Sequence, residues 1–123
     1  MGYRSHVVLA IAEPLVPQFM VTMAKCSEAR AMCFGDTDNH SRDFQDEKGS
    51  FFFEWHNIKW YDSFEEIQAI TDFMDWAQDR LKIGDNEIDG EDHYRFVRIG
   101  EEYDDIETRG WGFEIHPVRS IEY

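Results

Sequence analysis

Positive charge is scarce in this sequence of 123 residues, which has 12 lysines and arginines against 26 aspartates and glutamates. The net charge of −14 disfavours direct binding of DNA or RNA, because nucleic-acid binders need clustered Lys or Arg to displace counterions from phosphates. A partner with a basic surface is favoured instead, such as a protein that normally holds nucleic acid.

Cysteines and long apolar runs are also few. Cys26 and Cys33 form neither a CxxC pair nor a zinc-binding spacing, so we expect two reduced thiols in a cytosolic protein. The apolar run at residues 7–12 is far shorter than the roughly 18 residues that a membrane span needs. We therefore expect no membrane association and no secretory signal.

No standard catalytic, phosphate-binding or cofactor motif occurs. Residues 85–90 begin like a calcium loop, but the twelfth position, which should be a bidentate glutamate, is Phe96. The histidines form no HxH or HxxxH pair, although His56, His93 or His116 could meet nearby acids in space. We therefore predict no catalytic residue, no metal site and no cofactor.

What is present is enough apolar material for one packed domain over residues 1–123, with 42% hydrophobic and 15% aromatic residues. Residues 14–29 and 63–81 have apolar side chains at helical spacing, and Ser63 with Glu66 fits a capping box. The predicted strands are residues 1–12, 30–34, 50–60 with a bend or bulge at 56–57, 93–100 and 111–123. The predicted loops are a long polar one at 35–49 and an acidic one at 83–92.

This order predicts an α+β fold, with an antiparallel sheet of four to five strands and two helices on one face. A ferredoxin-like split β-α-β arrangement is the leading topology. The near-continuous apolar run in the first strand indicates a strand that is covered on both faces or central in the sheet. In the second helix, the side opposite the apolar stripe carries Glu65, Asp72, Asp75 and Asp79.

The densest charge lies within residues 93–107, where a strand pattern ends in Gly100 and is followed by an acidic tract around Tyr103. The tract's carboxylates are Glu101, Glu102, Asp104, Asp105 and Glu107, and the nearby arginines are Arg95, Arg98 and Arg109. We predict that these arginines pair with the last three carboxylates and hold the strand-turn-strand unit together.

Three consecutive phenylalanines, Phe51 to Phe53, cannot all face one side of a sheet. Either both faces are covered, or one aromatic is exposed and forms a protein-binding patch with the surrounding acids. The predicted binding residues are Trp55, Trp60, Tyr61, Asp72, Asp75, Asp79, Glu101, Glu102, Tyr103, Asp104 and Asp105.

Residues 2–5 (GYRS), 59–61 (KWY) and 96–107 (FVRIGEEYDDIE) resemble small acidic proteins of tailed bacteriophages and prophages. The resemblance covers most of the chain except residues 35–49, and residues 96–107 are its most specific part. It implies expression in the cytoplasm of an infected bacterium, and it carries over no catalytic residues.

Two hypotheses follow. The first is a non-enzymatic phage accessory protein whose acidic surface binds a basic groove on a host or defence protein and imitates the charge of DNA. The alternative is a small ligand- or nucleotide-binding module or enzyme, with a pocket between the aromatic strand at residues 51–60 and the strand of Arg95 and Arg98. In that pocket the arginines would clamp a carboxylate or phosphate, and Trp55 or Trp60 would stack a base. The sequence predicts no oligomeric state.

Overall fold

The computed structural model describes residues 2–35, 40–102, 104–117 and 121–122, which form a five-stranded antiparallel sheet with helices packed on one face. This architecture confirms the predicted α+β class. In chain order the strands and helices are β1 (Ser5–Ile11), α1 (Val16–Lys25), α2 (Ser27–Arg30), β2 (His40–Arg42), β3 (Phe51–Ile58), α3 (Glu65–Ala77), β4 (Arg80–Ile83), β5 (Asn86–Asp89), β6 (Tyr94–Ile99), β7 (Ile106–Arg109), β8 (His116–Pro117) and β9 (Ile121–Glu122).

The order of strands across the sheet is β2-β3-β1-β6-β7, and every neighbouring pair is antiparallel. Strand β3 lies between β1 and β2, and β1 lies between β3 and β6, so each β-α-β unit is split by an inserted strand. This is the order of the ferredoxin-like topology that the sequence predicted, extended at one edge by β7.

Strand β1 is covered on both faces, as its run of apolar residues predicted. Val7, Leu9 and Ile11 join the core that contains the buried side chains of α1 and α3. Val8 and Ala10 belong to a second cluster on the opposite face, which is covered by the segments before β3 and after β7. All five side chains are fully buried.

The aromatic strand β3 is also covered on both faces. Phe51 and Phe53 lie in the helix-side core, and Phe52 lies in the cluster on the opposite face. There Phe44 stacks on Phe52 with the ring centroids 4.1 Å apart. Of the two predicted alternatives, coverage of both faces is therefore observed, and none of the three phenylalanines is exposed.

Helix α3 buries the predicted apolar stripe but is shorter than residues 63–81. Ser63 does not cap it: the N-cap position is Phe64, without a side-chain cap, so the predicted capping box is wrong. The reason is a turn in which the Phe64 N–H donates to the carbonyl of Tyr61 at 3.0 Å, so that the helix begins later. The helix ends at Ala77, and β4 follows. No helix in the described ranges is long and apolar enough to cross a bilayer.

The first predicted helix, residues 14–29, is divided. Helix α1 ends at Lys25, Cys26 is extended (φ −134°, ψ 103°), and α2 follows. Ala31–Gly35 then forms a π-helical turn where the sequence predicted a strand at residues 30–34. A short apolar run does not by itself distinguish a strand from a buried helical segment.

The polar segment predicted as a loop at residues 35–49 contains the edge strand β2. Its His40 lies opposite Phe53 of β3. Backbone pairing with β3, and not an apolar pattern of its own, makes this segment a strand, which is why the sequence did not reveal it. Residues 36–39 lie outside the described residues.

Two C-terminal predictions also differ. Most of the predicted loop at residues 83–92 is the hairpin β4–β5, whose two-residue connection starts at Gly84 with φ +60°, as type II′ turns require. The last strand of the sheet is β7, within the segment predicted as acidic tract and turn. Gly110 (φ +75°) then turns the chain out of the sheet. In place of the strand predicted over residues 111–123, the described residues of this segment contain only the short strands β8 and β9, and Trp111 is 72% exposed.

Candidate functional site

The outer side of α3 carries a row of carboxylates. Glu65, Asp72 and Asp75 are exposed, and their spacing of seven and three residues places them on one side of the helix. Asp79 follows just beyond the helix end and is also exposed. Asp72, Asp75 and Asp79 are among the binding residues predicted from the sequence, and Glu65 is not.

A second acidic group lies in the turn between β6 and β7. Glu101, Glu102 and Asp104 are exposed, and Asp105 is half-buried. A backbone hydrogen bond of 2.8 Å closes the two ends of this turn. Tyr103, also a candidate binding residue from the sequence, lies outside the described residues.

One ion pair brings β7 against α3. Arg109 Nη2 donates to Asp75 Oδ1 at 2.8 Å, so the prediction that Arg109 pairs with an acid of the tract is corrected. Between α3 and β7 lies a groove of about 300 Å³, whose walls include Asp62, Asp72 and Glu107. The turn with the second acidic group leads directly into β7, so it begins where the β7 side of this groove ends.

We call this surface the acidic face, and its members are Asp62, Glu65, Asp72, Asp75, Asp79, Glu101, Glu102, Asp104 and Glu107. Two of them are paired with arginine, Asp75 with Arg109 and Glu107 with Arg98. Within the described part of the chain, the others form no ion pair with Lys or Arg. Most of the negative charge of the acidic face is therefore available to a partner.

Arg98 fixes the acidic turn to the first strand. Its guanidinium donates to Asp105 through two N–H groups at 2.8 and 3.1 Å, and to Glu107 at 3.1 Å. It also contacts Ser5 Oγ at 3.2 Å, and the Tyr3 hydroxyl donates to Asp105 Oδ2 at 2.6 Å. This geometry matches the predicted structural role of Arg98, Asp105 and Glu107 in the strand-turn-strand unit.

The same contacts shift three pKa values. Hydrogen bonds from Arg98, and then from Tyr3, lower the pKa of Asp105. The hydrogen bond to Asp105 raises the pKa of Tyr3. Burial by itself would lower the pKa of Arg98, but the hydrogen bonds to Asp105 and Glu107 raise it overall. Near neutral pH, the carboxylate is therefore ionised and both donors keep their protons.

The hydrogen-bond partners of Arg95 are not the carboxylates that the sequence predicted. It is buried and donates to the carbonyl oxygens of Gly110 at 2.7 Å and Ile115 at 3.3 Å. The Trp111 ring lies 5.5 Å from its guanidinium, and burial lowers the pKa of Arg95. The predicted pairing of Arg95 with the tract is corrected, because alternation along β6 directs Arg95 and Arg98 to opposite faces of the sheet.

The alternative ligand pocket does not form as the sequence placed it. Strand β1 lies between β3 and β6, so the aromatic strand and the strand of Arg95 and Arg98 are not neighbours. Arg98 is engaged by carboxylates. Arg95 borders a cavity of about 190 Å³, but two of its N–H groups donate to backbone carbonyls.

The candidate aromatic residues are mostly part of the core. Trp55 is buried, and its Nε1–H donates to the carbonyl of Met32 at 2.9 Å. Tyr61 is half-buried, with its ring next to that of Phe64. Trp60 is half-buried and lines the groove between α3 and β7, so it is the one of the three that adjoins the acidic face.

The three segments that carry the phage resemblance meet at one end of the sheet. The backbone N–H of Arg4 donates to Glu101 Oε2 at 2.9 Å, and the backbone N–H of Glu102 donates to the Tyr3 hydroxyl at 3.0 Å. Gly2 packs closely against Lys59 and Tyr61. The chain start, residues 59–61 and the acidic turn thus form one contiguous structure.

A histidine cluster is the feature that sequence reasoning missed. His6 and His56 stack with their ring centroids 4.3 Å apart, and both approach the carboxylate of Glu54. The sequence named His56 as part of a possible site, together with His93 and His116. Period-two alternation already places Glu54 and His56 on one face of β3, but only the pairing of β1 with β3 adds His6.

No protein-family model, curated protein or solved structure matches the chain. The resemblance to phage proteins therefore stays a prediction. The function proposed below rests on the geometry and charge of the chain itself.

Proposed function

We propose that the acidic face binds a protein with a basic surface and occupies there the place of nucleic-acid phosphates. The observation that carries this proposal is the ion pair of Arg109 with Asp75 at 2.8 Å. It joins β7 to α3, so that acids from two segments far apart in the sequence share one surface around a groove.

The charge of this surface favours a macromolecular partner. Most of its carboxylates are exposed and have no Lys or Arg partner in the described residues. Such a concentration of one sign of charge accelerates association with an oppositely charged surface and repels nucleic acid. Binding should weaken as salt rises, since exposed charges are screened over about 8–10 Å at physiological ionic strength.

The carboxylates along α3 form a row of negative charge, as phosphates do along a DNA strand. Glu65 and Asp72 are seven residues apart, which corresponds to about 10 Å along a helix axis, and Asp75 lies between Asp72 and the helix end. The likeness to DNA is one of charge and not of exact spacing. A basic groove that attracts a phosphate backbone would also attract this row.

The phage resemblance supplies the setting of the proposal. In an infected bacterium, the partner would be a host or defence protein that handles nucleic acid, and the chain would compete with that nucleic acid. The accessory role would then need no catalytic residue and no cofactor. The Trp60 side chain, at the groove wall, would add apolar contact to the charged surface.

Affinity capture from bacterial lysate at low salt tests the proposal. The test variant neutralises four exposed acids of the acidic face that have no ion pair: Glu65→Gln, Asp72→Asn, Asp79→Asn and Asp104→Asn. The control variant neutralises the same number of exposed acids away from it: Glu13→Gln, Glu28→Gln, Asp46→Asn and Glu47→Gln. Both variants have the same net charge, so any difference between them reports the position of the charge.

We expect wild type and the control variant to retain a basic protein that the test variant loses, and double-stranded DNA to displace that protein. Equal retention by the two variants would contradict the acidic face as the binding surface. Retention that added DNA does not disturb would contradict the imitation of phosphates.

A further inference from the structure

His6, Glu54 and His56 come from two neighbouring strands on the face of the sheet away from the helices. Glu54 and His56 alternate with the buried Trp55 along β3. The register between β1 and β3 shifts in the segment of His6, and Asn57 takes the left-handed conformation (φ +57°) that accommodates the extra residue. This bulge, which the sequence predicted near residues 56–57, brings the two imidazoles together.

The donor atoms of the three side chains are close to one another. His6 Nε2 lies 2.7 Å and His56 Nε2 lies 3.5 Å from the same oxygen, Glu54 Oε2. One ligand atom from each residue can be chosen so that all three lie within 4.8 Å of one another. Two imidazoles and a carboxylate are the donor set of open zinc sites and of other divalent transition-metal sites.

We infer that His6, Glu54 and His56 form a binding site for a divalent transition-metal ion, with Zn²⁺ as the ion that fits best. Tetrahedral bonds of about 2.0–2.2 Å to nitrogen and oxygen place neighbouring donors about 3.3–3.6 Å apart. The contact of His56 with Glu54, at 3.5 Å, already lies in this range, and the 2.7 Å contact of His6 with Glu54 must lengthen by roughly 0.6–0.9 Å. The ion would replace the direct hydrogen bond between His6 and Glu54.

One ring must turn for the ion to enter. The two rings are nearly parallel, with 21° between their planes, whereas a metal ion binds in the plane of each imidazole. The His56 side chain is 68% exposed, so it can tilt without disturbing the core. His6 and Glu54, which are 25% and 18% exposed, hold the other two donors in place.

The site has an open side. Glu54 and His56 border a depression of about 710 Å³, which Arg4, Glu28 and Lys59 also line. Three protein ligands leave the fourth tetrahedral position free for water or a small anion from this depression. Glu28 and Glu66 on the lining balance the charges of Arg4 and Lys59, so the depression itself favours neither sign of ligand charge.

Calorimetric titration of EDTA-treated protein with Zn²⁺, in excess Mg²⁺ to saturate diffuse acidic binding, tests this inference. We expect one saturable site per chain. Loss of a residue that only hydrogen-bonds to a metal ligand weakens metal binding about 10–100-fold. Loss of a ligand itself should weaken it at least as much, so His56→Gln and Glu54→Gln should each lower the affinity at least tenfold. The control is His116→Gln. His116 is exposed and also lies next to a glutamate, with its Nε2 3.2 Å from Glu114 Oε2, but it is not a residue of the proposed site. This substitution should leave the affinity for Zn²⁺ unchanged.

Thermal denaturation of the metal-free variants verifies that each is folded, and visible absorption bands of bound Co²⁺ report tetrahedral coordination. Absence of saturable binding by wild type would overturn the inference. So would unchanged affinity in folded His56→Gln, because the three residues would then form only a hydrogen-bonded pair with a stacked ring.

Discussion

Arg109, at the end of the edge strand, donates to Asp75 on α3 at 2.8 Å, and this contact joins the last strand of the sheet to the helix layer. The arginine side chain is 19% exposed and the aspartate 57%. The pair therefore stabilises the packing of β7 and also sets the position of the groove between its two acidic walls.

Substitution Arg109→Gln should lower the free energy of unfolding by about 1–2 kcal/mol, because a partly buried, charge-assisted hydrogen bond is lost. Urea denaturation measures this change. The control is Arg80→Gln, which breaks a 4.0 Å contact with Glu87 in which both side chains are largely exposed. Its effect should stay below about 0.5 kcal/mol, and an equal effect of both substitutions would contradict a structural role for Arg109.

Asp105 should make stability depend on pH. Its pKa is lowered in the folded protein by the hydrogen bonds of Arg98, so its contribution is present above its unfolded pKa of about 3.9 and is lost as pH falls through the folded value. Substitution Asp105→Asn should cost about 1–2 kcal/mol at pH 7. In urea denaturation, the difference in the free energy of unfolding between wild type and Asp105→Asn should become smaller below about pH 4.

The exposed neighbour Asp104 provides the control for this pH dependence. Asp104→Asn removes the same charge, but the side-chain hydrogen bonds of Arg98 to Asp105, Glu107 and Ser5 remain. It should change the free energy of unfolding by less than about 0.5 kcal/mol, both at pH 7 and below about pH 4. A constant difference between wild type and Asp105→Asn across the acid range would show that the carboxylate charge is not what stabilises the turn.

The two cysteines should differ in reactivity. Burial raises the pKa of the Cys33 thiol to about 12, whereas Cys26 is half-buried at the break between α1 and α2. Since the thiolate is the reacting form, iodoacetamide at pH 8 should label Cys26 and leave Cys33 unlabelled until the protein is denatured. Mass spectrometry of the labelled peptides measures this, and labelling of Cys33 in the native protein would contradict its burial.

Gly110 should be required for the turn after β7. It has φ +75°, and a methyl group at this position would collide with the carbonyl group of Tyr94. Gly110→Ala should therefore cost about 3 kcal/mol or more, from the left-handed backbone and the collision together. Gly84→Ala has open space around it, so only the strain of its positive φ opposes the substitution, and it should cost less than Gly110→Ala. Equal costs in thermal or urea denaturation would contradict the close approach to Tyr94.

The sequence predicted elements whose pattern is local. The continuous apolar run of β1 and the spaced apolar stripe of α3 indicate burial without knowledge of any partner segment. The pairing of Arg98 with Asp105 could also be predicted from the sequence, because the two residues are seven positions apart and belong to one strand-turn-strand unit.

The sequence did not reveal features that depend on contacts between distant segments. Strand β2 has no apolar pattern and is determined by pairing with β3. The partner of Arg109 lies 34 residues away on α3, and Glu54 lies 48 residues from His6. Such pairs follow from the strand order and the helix layer, which local periodicity does not specify.

Carbodiimide cross-linking in a lysate tests the central claim most directly, because it joins carboxylates to lysine amines only where the two are in contact. Mass spectrometry of the linked peptides should place the links at Asp72, Asp79, Glu102 or Asp104 of the acidic face. The partner peptides should come from the nucleic-acid-binding surface of a basic protein, and added double-stranded DNA should prevent the links. Links through Asp46 or Glu47, in the segment between β2 and β3, or no links at low salt, would contradict binding through the acidic face.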